Sequence, residues 1–109
     1  LFKSKRYDSA LFFGHIILEK ILKAHVVNAT NKNAPKIHDL VRIAELAELE
    51  LKREQIELLK EANNFNIETR YPDYKLRFYK MCTKKFTGGK LNKITKMYKF
   101  LCQKLEPKK

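Results

Sequence analysis

The sequence predicts an all-α fold, an antiparallel (up-and-down) bundle of about four to five helices. Three observations carry this. Apolar residues recur at helical spacing along most of the chain. No stretch alternates apolar and polar residues between turn signals, as a half-buried strand would. The breaks between the helical stretches are short, and short connections favour antiparallel neighbours. At 109 residues there is room for one domain, residues 1–109. Hydrophobic residues make up 44% and charged residues 33%, which is too apolar for a disordered chain.

The first helix starts at Asp8, a good N-cap, with Tyr7 before it and Phe12 at the spacing of a hydrophobic staple. Positions 10, 11, 14, 17, 18, 21, 22 and 25 form its stripe, and Phe12, Phe13 and Ile16 add a second apolar side. So apolar a helix belongs at the centre of the bundle, and it ends near Asn28. Asn31 to Pro35 is a loop. Ile37, Leu40, Val41, Ala44, Leu46 and Ala47 mark a short amphipathic helix, followed by a turn at Leu49–Leu51. A longer helix runs from about Lys52 to Arg70, with Ile56, Leu59, Asn63, Asn66 or Ile67, and Arg70 on one face. Pro72 stops it. The last helix includes Lys90 to Leu105, with Leu91, Ile94, Met97 or Tyr98, Leu101 and Leu105 inward. Thr83 could cap an earlier start, which would place Gly88 and Gly89 inside the helix.

Charge is distributed unevenly. The net charge is +12, yet residues 75–109 hold 12 basic side chains against one acid, Glu106. A one-sided basic surface favours polyanions, and Lys84, Lys85, Lys90, Lys93, Lys96 and Lys99 are its members on the last helix. The alternative is a solvated lysine-rich face. Cys82 and Cys102 are too few for a disulfide framework and read as reduced thiols in a cytoplasmic setting. The apolar stretch Ala10 to Leu18 is too short to span a bilayer, so no membrane partner is expected. No zinc, calcium or cofactor signature occurs, and Gly88-Gly89 has no phosphate-loop context.

Two places could carry chemistry. From Asn63 to Tyr74, Arg70 offers five donors suited to phosphate, Tyr71 and Tyr74 offer faces for stacking bases, and Asp73 lies beside them. The structural alternative pairs Arg70 with Glu19 or Asp73 and uses Asn63 to cap a loop. His15 with Glu19 one turn on is an acid–base pair or a satisfied core histidine. His25 reads as an ordinary helix-end residue, and His38 as a capping or packing one.

Three segments resemble the HEPN domain family: Arg6 to His15 with Leu18 to Ala24, then Lys36 to Val41, then Ile67 to Tyr74 with its Arg-Tyr-Pro. The resemblance implies a helical bundle with one more helix ahead of residue 1, of which Leu1–Phe2 would be the last turn. The chain is then N-terminally incomplete, and part of the apolar face of the first helix should be exposed. It also implies homodimers and nucleotide or RNA binding. Small prokaryotic members stand beside a minimal nucleotidyltransferase in toxin–antitoxin-like pairs, and many members are metal-independent RNases. Their site is an Arg followed four to six residues later by a His. Arg70 matches the arginine and Asn63 the polar residue before it. No histidine follows His38, and Asn66 stands where the family usually has an aromatic residue. An RNase toxin would have to draw on Tyr74 or on His15 with Arg70. The remaining alternative is a purely structural interaction module.

Overall fold

The structure, a computed structural model, describes residues 7–67, 80 and 82–105. Among these there are four helices and no strand: α1 (Tyr7–Thr30), α2 (Leu40–Leu46), α3 (Arg53–Ile67) and α4 (Lys84–Lys104). The all-α expectation holds.

Five of the helix ends have a local cause. α1 runs two residues past Asn28 and stops where Asn31 turns left-handed (φ 58°), its N–H still bonded to the Val27 carbonyl at 2.8 Å. α2 is shorter than its apolar pattern. Asp39 sits at its N-cap and accepts from the N–H groups of Val41 and Arg42 at 3.0 and 3.3 Å. It closes at Glu48, also left-handed (φ 57°), with the Leu49 N–H on the Ala44 carbonyl. At α3, the Gln55 side chain accepts from the Lys52 N–H at 2.8 Å. At α4, the Thr83 hydroxyl accepts from the Phe86 N–H at 3.1 Å. α4 therefore takes the earlier start and passes unbroken through Gly88 and Gly89. Each glycine costs about 1 kcal/mol of helix propensity relative to alanine.

α1 touches all three other helices, as its apolar composition requires. Gly14 lets α4 come close: a Cβ there would meet the Ile94 Cδ1 at 2.7 Å. Farther along, His25 is buried, and its Nε2–H donates to the Leu101 carbonyl at 2.8 Å. Gly14 meets Ile94 and His25 meets Leu101, so α1 and α4 run the same way. α3 is tied to α4 where Glu61 pairs with Lys90. His25 is thus an interhelical tie, a role its sequence position did not reveal.

The core joins Leu11, Leu18 and Leu22 of α1, Leu40 and Ile43 of α2, Leu59 and Phe65 of α3, and Leu101 of α4. The inward face of α3 differs from the one read off the sequence. Leu58, Leu59, Ala62 and Phe65 are buried, while Ile56 and Asn63 are half-buried at its flanks. On α4, Met97 is buried and Tyr98 is exposed. Phe13, Ile17 and Val27 of α1 are exposed. Among the described residues, no helix is long and apolar enough to cross a membrane.

Candidate functional site

Helical spacing carries His15 inward with Leu11, Leu18 and Leu22, and it is only 2% exposed. Its Nε2 lies 3.2 Å from the His38 carbonyl oxygen. A carbonyl only accepts, so Nε2 holds the proton and Nδ1 keeps a lone pair. That Nδ1 has no hydrogen-bond partner among the described residues and sits 3.8 Å from Glu19 Oε1. Glu19, one turn on, accepts from Lys23 Nζ at 3.0 Å. It also accepts from His38 Nδ1, which is 3.1 Å from both carboxylate oxygens. The loop end at His38 is therefore held twice against α1, once by its carbonyl and once by its ring.

The next residues join the same junction to α3. Asn63 Oδ1 accepts from the Leu40 N–H at 2.9 Å, and its Nδ2 donates to Asp39 Oδ1 at 3.0 Å. One amide thus reads both a backbone donor and the capping carboxylate at the start of α2. Leu40 is the first residue of α2, whose N–H has no intrahelical partner, and Asn63 supplies one.

Electrostatics follow from burial. Desolvation pulls the His15 imidazole below its ordinary 6.5, opposed by its bond to His38 and by the Glu19 charge. Burial pushes the Glu19 carboxyl up, but hydrogen bonds and charge from Lys23 and His38 outweigh it and hold the group below 4.5. His15 is therefore neutral in the fold at neutral pH. The unfolded chain takes up this proton first, so stability falls as pH drops through 6.5 and below. Glu19 adds a second loss at more acid pH, as its carboxylate is protonated below 4.5. Urea midpoints should decline between pH 7.5 and 5, and His15→Leu should flatten that part of the curve. An equal decline in the variant would assign the effect elsewhere.

Of the sequence-predicted ligand residues, the structure brings together His15 and Glu19, and reaches Asn63 through His38 and Asp39. Arg70, Tyr71, Asp73 and Tyr74 lie outside the described residues. The spacing of His15 and Glu19 was visible in the sequence, whereas His38 joins them only through the long-range fold. Its part is to bridge Glu19 and His15, while the cap is Asp39. Among the described residues, no group of three or more His, Cys, Asp or Glu is placed to hold a metal ion.

The basic residues divide. Lys84, Lys85, Lys93, Lys96 and Lys99 are exposed. Lys90 turns the other way: its ammonium is 2.7 Å from Glu61 and its side chain 17% exposed, so it ties α4 to α3. Between these helices lies an open groove of about 600 Å³, with Glu54, Glu57 and Glu61 along one wall, Lys93 and Lys96 along the other, and Leu58 and Met97 beneath. It is separate from the His15 junction.

The model of the HEPN domain family matches residues 1–105. No curated protein and no solved structure matches the chain.

Proposed function

The chain belongs to the HEPN domain family, and from that premise we propose that it binds nucleotide or RNA as the HEPN half of a nucleotidyltransferase–HEPN pair of toxin–antitoxin type. It acts in the cytoplasm as a homodimer, with a minimal nucleotidyltransferase as partner. The observation that carries this reading is the family match across nearly the whole chain. In it Arg70 holds phosphate, Tyr71 and Tyr74 stack or hydrogen-bond beside Asp73, and Glu19, with the buried His15 behind it, forms a second wall. Asn63 stands seven positions before Arg70 in the sequence.

Binding is favoured over cleavage by the burial of His15. A general base must come within hydrogen-bond reach of the ribose hydroxyl, and a ring 2% exposed does not. The RNase alternative therefore needs Tyr74 or an opened junction. A second reading, a structural interaction module, draws support from Asn63, whose amide is taken up by α2.

Arg70→Ala separates these. Loss of a charge-assisted phosphate contact worth about 1.5–3 kcal/mol should weaken nucleotide binding roughly ten- to a hundred-fold with little change in Tm. Calorimetric titration and thermal melts check both. Unchanged binding with a loss of several kcal/mol in stability would put Arg70 in a structural ion pair. Metal-independent cleavage of RNA in EDTA, abolished in the variant, would make the protein an RNase.

A further inference from the structure

α4 carries a feature that neither packing nor backbone geometry accounts for. Gly88 and Gly89 sit in its interior with no positive φ, and both are exposed. A Cβ at either position would meet nothing within 4 Å. Gly14 has a packing reason, since Ile94 presses on it. The pair on α4 has none. What glycine still offers there is a bare backbone that a ligand can approach closely.

The surroundings of the pair define the ligand. Residues 84–104 contain no acidic side chain. At 100° per residue, Lys85, Gly88, Gly89, Asn92, Lys96 and Lys99 share one face, opposite the buried Thr87, Ile94, Met97 and Leu101. All six are exposed, and Lys85, Lys96 and Lys99 form no ion pair among the described residues. The acidic row of α3 bounds this face along Lys93 and Lys96. From Lys85 to Lys99 the strip is about 21 Å long at 1.5 Å per residue. That spans on the order of six phosphates of a stacked strand at about 3.4 Å each.

We propose that this face of α4 is a docking strip for the phosphodiester backbone of a nucleic acid, with Gly88-Gly89 at the closest approach and Lys85, Lys96 and Lys99 alongside. An anionic membrane fits less well. A helix lying on lipid buries an apolar face in it, and the apolar face of α4 is committed to the core. The choice of nucleic acid rests on the function proposed above; the strip itself rests on α4.

The test uses the full chain and a fluorescent twelve-nucleotide strand, as RNA and as DNA, by anisotropy across a salt series. Vesicles of phosphatidylserine and phosphatidylcholine form a further arm. In Lys85→Gln/Lys96→Gln/Lys99→Gln, the slope of log K against log salt should flatten by about two, at roughly 0.7 per lost phosphate contact. In Gly88→Ala/Gly89→Ala, Tm should rise by about 5 °C or more while affinity falls several-fold. A merely structural glycine pair would raise Tm and leave affinity alone, which overturns the proposal. So does an unchanged salt slope, binding to vesicles in preference to both strands, or no binding of either strand. Preference between RNA and DNA identifies the source of the backbone. If Arg70→Ala abolishes binding and the α4 variants do not, the strip fails and the Arg70 site stands. The reverse pattern removes the Arg70 site and leaves the strip.

Discussion

Phe65→Ala should cost about 3–5 kcal/mol, the range for deleting a buried aromatic ring. Phe65 is 1% exposed and the largest fully buried side chain among the described residues. It lies on α3 in the core cluster that joins all four helices. Against a total stability of about 5–15 kcal/mol for a domain of this kind, the variant would be close to unfolding. Ile56→Ala is the control: Ile56 is half-buried, and its loss should be less than half as large. Urea denaturation of both variants decides the inward phase of α3. Equal losses, or a larger one for Ile56, would mean that the helix is turned toward the face carrying Ile56 and Asn63.

That phase shows where sequence reasoning stopped. Leu59 fits two stripes equally well. One continues through Asn63 and Arg70, and the other through Ala62 and Phe65 with Leu58 beside it. The spacing from 58 to 62 to 65, four then three, is as regular as the one through Asn63, and only packing against α1 and α2 decides between them. The composition of α1 placed it at the centre, whereas the start of α4 stayed open in the sequence and falls at Thr83 in the structure. His25 and Lys90 were illegible for one reason: each finds its partner at long range, Leu101 for the first and Glu61 for the second. His15 with Glu19 could be read because both lie on one helix, a turn apart. The His38 bridge between them could not, because it depends on how residues 31–39 return to α1.

Asn63→Asp should destabilise the fold by about 2–4 kcal/mol at neutral pH. The substitution keeps Oδ1, which still accepts from the Leu40 N–H, but replaces the donor facing Asp39 with a second oxygen. A hydrogen bond now 3.0 Å long becomes a contact between two carboxylates. The lost bond is worth about 1 kcal/mol, and like charges at that distance in a half-exposed setting add roughly 1–3 kcal/mol. Strain should also reach the α2 cap, since Asp39 Oδ1 accepts from Val41 and Arg42 as well. Acid should relieve part of the defect, because one shared proton restores a donor between the oxygens. The gap between variant and native protein should therefore narrow from pH 7 toward pH 4, against the acid destabilisation arising from His15 and Glu19. Asn63→Ala, which removes both bonds but adds no charge, should show no such narrowing. Nucleotide titration of the same two variants then speaks to function. If Asn63 serves only α2, the nucleotide affinity of the folded protein is unchanged in both. If it also orients Arg70, affinity falls in Asn63→Ala under conditions where the protein remains fully folded.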